Sequence, residues 1–290
     1  MEPVKKILVS LDLSSMDAPL ISYASYLAGV LQVEEVIFFH AIQAYDLANR
    51  KSSRFPDLET ELSGIIKERI NERVSDYFND HIKWSMEIEV GYEHVADEVV
   101  RFANEGSFDL ILLGQKRGEN RRGVYAQKIV SEIETNIMLV PEYVEHKLQS
   151  ILCALDFSEY SRKAFEWGLE HSKRLNSRLS CYYITDPRRA FFPVSTQQST
   201  YREEQRNRKV ADNFLADYQL TRDDVKCHIR VHDQLTNEAE TVYETAEQED
   251  DDLIVVGAYG NTSNITSLLG NLTETFRLME KEIPVAIIKR

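Results

Sequence analysis

ILVSLDLS, residues 7 to 14, returns as ILCALDFS at residues 151 to 158, an offset of 144. FDLILLG (108–114) returns as DDLIVVG (251–257), and NIMLV (136–140) as PVAII (284–288). Strand-like blocks that recur in the same order at nearly one spacing mark a duplicated unit. The chain is therefore read as two domains, 1–145 and 146–290. They are joined through the polar connector PEYVEHKLQ (141–149), which Pro141 opens.

Within each half apolar runs alternate with amphipathic ones. In the first, ILVSLD is a strand, and Ser14 and Ser15 are expected to cap a helix through APLISYASYLAGVL. EVIFFHAI, WSMEIEV, LILLG and NIMLV read as strands. ETELSGIIKERINERVSDYF, VADEVVRFANEG (stopped by Gly106) and AQKIVSEIE have helical spacing. The second half repeats the order and ends with a helix from Leu272 and the strand PVAII. Five strands separated by helices give an α/β fold: two tandem doubly wound five-stranded parallel sheets with right-handed crossovers. Most of the strands are continuous Val/Ile/Leu runs, as a sheet buried on both faces requires.

Composition narrows the function. With 290 residues, 43% hydrophobic and 28% charged, each half has enough chain for its own core. A formal charge of −14 argues against nucleic acid or an anionic membrane surface as partner. Cys153, Cys181 and Cys227 are odd in number and read as free thiols, the first two buried, in a reducing compartment. The opening MEPVKKILVSLDLSS has no signal-like apolar core, and no stretch approaches a membrane span, so a cytoplasmic protein is expected.

The chemistry is sought at the carboxyl ends of the strands, where such sheets bind ligands. There the second half carries GAYGNTSNITSLLGN (257–271). Its spacing is Gly257-x2-Gly260-x9-Gly270-Asn271, followed by the helix from Leu272. Glycines let backbone N–H groups turn toward an anion, and a helix start adds its own free N–H groups. Walker A and GxGxxG patterns are both absent. The first half has GQKRGENRRGV instead: Gly114-x3-Gly118-x4-Gly123-Val124, four residues shorter. Lys116, Arg117, Arg121 and Arg122 make it strongly basic.

With Asp156 closing its first strand, the second half resembles the ATP-binding class of universal stress proteins, whose loop is G-x2-G-x9-G followed by Ser or Thr. The resemblance extends over the chain as two tandem copies. It implies an adenine-nucleotide α-hydrolase-like fold packed as an intrachain pseudo-dimer, with strands 136–140 and 285–289 meeting, and a homodimer as a further option. It also implies ATP or AMP, with Mg²⁺ recruited by the phosphates, in the second domain. Asp156 would meet the adenosine and the backbone at Ile184 the adenine edge. Gly257, Gly260 and Asn261 would wrap ribose and phosphates, and Gly270, Asn271 and Leu272 would offer N–H groups. Asn271 departs from the hydroxyl residue of the family pattern. In the first half Asp12, Gly114, Gly118, Gly123, Arg121 and Arg122 form a degenerate counterpart, a candidate site for an anion.

Simpler readings stand beside these. The loop at 257–271 could be a surface connection, Asp156 a helix N-cap, and the basic cluster a solvated loop. His228 and His232 lie four apart on a strand, roughly 13 Å at ~3.3 Å per residue, too far to share a metal ion. Phe191-Phe192-Pro193 is either an exposed contact or a core cap, and QEDDD (248–252) reads as a solvated turn. The expected function is a nucleotide-binding, non-catalytic stress-response protein with a protein partner that the sequence does not name. The alternatives are a nucleotide-free interaction scaffold and a slow ATPase.

Overall fold

A computed structural model describes residues 3–43, 58–78, 82–91, 94–115, 124–185, 196–231, 238–258 and 283–290. Two compact units divide between His146 and Lys147. The first contains β1 (Lys6–Ser10), α1 (Asp17–Leu31), β2 (Glu35–Gln43), α2 (Leu58–Ser75) and β3 (Lys83–Gly91). It continues with α3 (Val95–Glu105), β4 (Leu110–Gln115), α4 (Val124–Glu132) and β5 (Asn136–Pro141). The second contains β6 (Ser150–Leu155), α5 (Glu159–Leu175), β7 (Arg178–Thr185), α6 (Thr196–Ala216), β8 (Lys226–Val231), α7 (Glu238–Gln248), β9 (Leu253–Gly257) and β10 (Val285–Ile288).

Each unit has its own doubly wound parallel sheet. The strand order is β3-β2-β1-β4-β5 in the first and β8-β7-β6-β9-β10 in the second. The chain moves one way from β1 through β3, then returns to the other side of β1 with β4, and the second unit does the same from β6. The order therefore reverses between β1 and β4, and between β6 and β9, which fixes where a crevice opens. The inner strands are sealed: Ile7, Leu8, Val9, Ile151, Leu152, Ile254 and Val255 are fully buried. The outer strands β3 and β8 alternate polar and apolar residues instead.

At the opposite, amino-terminal edge the two units use the same device. Asp109 accepts hydrogen bonds from the backbone N–H groups of Lys5 and Lys6, both at 2.8 Å. Asp252 accepts those of Gln149 and Ser150 at 2.8 and 3.0 Å. Each carboxylate satisfies donors that a strand start would otherwise leave unpaired. The expectation of a solvated turn at 248–252 is thus corrected: Asp251 and Asp252 are buried. Arg178 pairs with Asp251 at 3.3 Å and Lys147 with Asp252 at 3.1 Å. Burial pushes the Asp251 carboxyl above the usual aspartate range, and Arg178 pulls it back in part.

The expected capping of α1 by Ser14 or Ser15 also needs correction. The helix begins at Asp17 behind Met16, with no side-chain cap bond. Ser14 Oγ instead accepts the N–H of Met16 at 3.1 Å, as a turn before the helix. In the second unit Ser158 is a true N-cap whose side chain accepts the N–H of Ser161 at 3.2 Å.

Candidate functional site

The crevice of the second unit is built around the segment that leaves β6. Asp156 Oδ1 accepts the N–H of Ser158 at 2.9 Å, closing a tight turn. Phe157, inside that turn, has a left-handed backbone with φ 59. For a non-glycine residue such a conformation costs ~1–3 kcal/mol, so packing must hold it. The Phe157 ring lies 4.3 Å from that of Tyr183 on β7 and 5.1 Å from that of Phe214 on α6. This anchor holds the turn in which Asp156 sits and leaves Ser158 to cap α5, so the plain N-cap reading of Asp156 does not hold.

Two neighbouring strands complete the described part of the site. Leu155 pairs with Tyr183, so Ile184 stands level with Asp156 on one side. On the other, Cys153 pairs with Val255, which brings Gly257 to the same end of the sheet. The structure thus brings Asp156, the Ile184 backbone and Gly257 together across β7, β6 and β9. Gly257 has a reason of its own to be glycine. A Cβ there would lie 2.6 Å from the carbonyl carbon of Tyr160 and 2.8 Å from the nitrogen of Ser161. Those are backbone atoms of the first turn of α5 and cannot swing away. Gly260, Asn261, Gly270, Asn271 and Leu272 lie outside the described residues.

The first unit repeats the turn and changes what surrounds it. Asp12 Oδ1 accepts the N–H of Ser14 at 3.1 Å, and Leu13 has φ 60. At the position matching Ser161 stands Asp17, which is 1% exposed. Its Oδ1 accepts the N–H of Asp12 at 3.1 Å, and Arg73 Nη1 on α2 donates to its Oδ2 at 3.0 Å. Arg73 also donates to the Ser14 carbonyl at 3.3 Å. Burial raises the Asp17 carboxyl above the usual range; the Asp12 N–H and Arg73 work against that, while the Asp12 charge adds to it. Gly114 lies near the end of β4, and a Cβ there would meet side chains rather than backbone, Met16 Cγ at 2.5 Å and Leu20 Cδ2 at 3.6 Å. Lys116, Arg117, Gly118, Arg121, Arg122 and Gly123 lie outside the described residues, as do His232 and Phe191-Phe192-Pro193.

Asp17 and Arg73 escaped the reading of motifs. Superposing the repeats at their own offset sets Asp17 against Ser161, which was the available signal. His228 Nε2 lies 3.8 Å from Glu249 Oε1. Among the described residues no three His, Cys, Asp or Glu side chains converge as a metal site.

A doubly wound five-stranded α/β domain, present twice, with its crevice beyond the first and fourth strands, is the class of protein that fold and site define. The model described as the Universal stress protein family matches residues 147–289, and the chain belongs to that family through its second half. A universal stress protein from Archaeoglobus fulgidus DSM 4304 superposes with TM-score 0.69 and 17% identity, over 98% of each chain. A functionally unknown protein from Pseudomonas aeruginosa PAO1 superposes with TM-score 0.62 and 16% identity, over 98% of this chain and 92% of its own. Both share the fold over both halves. A shorter universal stress protein from Archaeoglobus fulgidus, solved in complex with dAMP, covers 48% of this chain with 98% of its own, at 16% identity and TM-score 0.35. Curated protein sequences give no match. No helix among the described residues is long and apolar enough to cross a membrane.

Proposed function

We propose that the chain is a nucleotide-binding, non-catalytic stress-response protein that takes ATP or AMP in its second half. The observation that carries this reading is the difference between the two crevices. In the second, the turn presents Asp156 beside a helix start that carries Ser158 and Ser161, with Glu159 between them exposed and paired to Lys163. In the first, Asp17 adds a second carboxylate next to Asp12. A phosphate chain approaching the first mouth meets Asp12 and the Asp17–Arg73 pair; at the second it meets Asp156, the hydroxyls of Ser158 and Ser161 and the positive start of α5.

Asp156 is suited to accept hydrogen bonds from sugar hydroxyls, and the backbone at Ile184 to read a base edge. Gly260, Asn261, Gly270, Asn271 and Leu272 are proposed to wrap the phosphates, which can bring Mg²⁺ with them. Phosphates held by backbone N–H groups are stabilised as much in the ground state as in the transition state, which does not raise kcat. The residual basic loop of the first half, from Gly114 through Arg121, Arg122 and Gly123, is proposed as an anion site of lower selectivity. One observation favours a nucleotide-free scaffold instead: the contact with α5 explains glycine at 257 without any ligand.

Equilibrium dialysis with ATP and AMP separates the readings. One site per chain is expected, lost in Asp156→Ala and kept in Asp12→Ala. At a hundredfold excess over Kd the bound state gains about 2.7 kcal/mol of stability, which a thermal scan resolves. Single-turnover hydrolysis with Mg²⁺ should run far below the median enzyme rate of about 10 s⁻¹. Two sites per chain, or a site that follows Asp12, would overturn the assignment. No binding with a folded Asp156 wild type would leave the scaffold.

A further inference from the structure

The three cysteines are 28 and 46 residues apart in sequence, yet they stand in one row of the second sheet. Cys153 on β6 pairs with Cys181 on β7, and Cys181 pairs with Cys227 on β8. In-register neighbours of adjacent parallel strands point to the same face, and strands are ~4.7–4.9 Å apart. That spacing falls within the ~4.4–6.8 Å between Cα atoms that a disulfide spans. All three are free thiols.

Their surroundings differ in a graded way. Cys153 is fully buried, its Sγ 3.9 Å from the Ala164 carbonyl of α5. A Cβ on Gly168 would come within 2.5 Å of that sulfur, so α5 leaves no room beside it. Cys181 is 1% exposed. Cys227, on the outermost strand of the unit, is half-buried. The neighbouring Cys181 holds the Cys227 thiol below its usual range, against the opposing effect of burial. Arg222 adds to the lowering, while Asp212, which holds Arg222 at 2.6 and 3.2 Å, offsets part of it. Burial keeps Cys181 and Cys153 protonated.

We propose that Cys227 and Cys181 are a peroxide-reactive dithiol that closes into a reversible disulfide between β8 and β7. Access and a lowered thiol decide which cysteine an oxidant meets first, and of the three Cys227 is the one that is not buried and the one whose thiol is lowered. Its thiolate attacks one oxygen of a hydroperoxide; the O–O bond breaks, hydroxide or alkoxide leaves, and Cys227 becomes a sulfenic acid. The Cys181 sulfur then attacks the sulfenic sulfur. The S–O bond breaks, and the departing hydroxide takes the Cys181 proton and leaves as water. Two thiols lose two electrons, and the peroxide is reduced to water plus water or alcohol. A bridge at an outer strand is open to attack by a reducing thiol, which returns both cysteines. Cys153 is spared because neither oxidant nor Cys227 reaches it past Cys181 and α5.

The test is exposure of the reduced full chain to hydrogen peroxide, followed by thiol counting after denaturation and by peptide mapping without reduction. Titratable thiols should fall from three to one, with a Cys181–Cys227 cross-linked peptide and recovery to three on adding dithiothreitol. Cys227→Ser should keep both remaining thiols under the same dose. Cys181→Ser should stop at a sulfenic acid on Cys227 that dimedone traps. Cys153→Ser should still form the bridge, its count falling from two to none. A thiol count that stays at three, a bridge through Cys153, or cross-links only between chains would each overturn the proposal.

Discussion

Replacing Gly257 by alanine tests the idea that this residue is fixed by packing against α5. The new methyl would lie 2.6 Å from the Tyr160 carbonyl carbon, 2.8 Å from the Tyr160 oxygen and 2.8 Å from the Ser161 nitrogen. Comfortable contact needs ~3.5–4.0 Å, so strand and helix must separate by roughly 1 Å. The helix turn cannot give way cheaply, because Ser158 caps it and Phe157 is pinned by Tyr183 and Phe214. Overpacking of this kind costs ~1–3 kcal/mol, and a clash with three backbone atoms belongs near the top, about 2–3 kcal/mol. For a unit of this size that lowers Tm by roughly 6–12 °C. Gly114→Ala is the control: the atom met within 3 Å belongs to the Met16 side chain and not to backbone, so a smaller loss, about 1 kcal/mol, is expected. The chain has two tryptophans, Trp84 in the first unit and Trp167 in the second. Fluorescence-detected urea unfolding in a Trp84→Phe background therefore follows the second unit alone, and Trp167→Phe the first. Gly257→Ala within about 0.5 kcal/mol of its parent, the ordinary scatter of surface changes, or Gly114→Ala costing more, would refute the reasoning.

Two further outcomes follow from buried ionisable groups. His171 is buried, stacked on Trp167 at 3.8 Å, with its Nδ1–H donating to the Trp167 carbonyl at 2.7 Å, and burial lowers its basicity. The unfolded chain then binds the extra proton first, so its stabilising share is complete above pH ~6.5 and is lost as pH falls through the lower folded value; His171→Gln should flatten second-unit stability between pH 7 and 5 by urea unfolding. Asp252→Ala leaves two strand-start N–H groups unpaired, one of them buried, and should cost about 2–3 kcal/mol. Asp109→Ala, whose donors are more exposed, should cost less in the same assay.

The strands were legible because runs such as LIVVG and NIMLV have no polar face to expose, and the repeat fixed their order. What sequence could not reveal depends on partners far along the chain. Asp251 and Asp252 look like a solvated acidic turn until Arg178, Lys147 and Ser150 are seen around them. Ser14 and Ser15 have good capping chemistry, but the Asp12–Asp17 bond ties the chain before it can enter the helix there. The glycine at 257 carried a motif reading that is sound as spacing, while its second reason, the backbone of Tyr160, belongs to another element. The cysteine row is a matter of register, which no spacing in the sequence announces.

The outer strand β8 has a further consequence. Its residues alternate, Lys226, His228 and Arg230 against Cys227, Ile229 and Val231. Lys226 is exposed and pairs with Glu249, and β3 shows the same habit with exposed Lys83 and Glu87. A foreign strand that tried to extend the sheet at either place would have to lay its side chains against charge on one face. Open sheet borders of this kind template aggregation and strand exchange unless something discourages the newcomer. Here the discouragement is written into every second residue, so these borders are poor seeds for fibrils even though inner strands such as β4 and β9 are almost pure hydrocarbon.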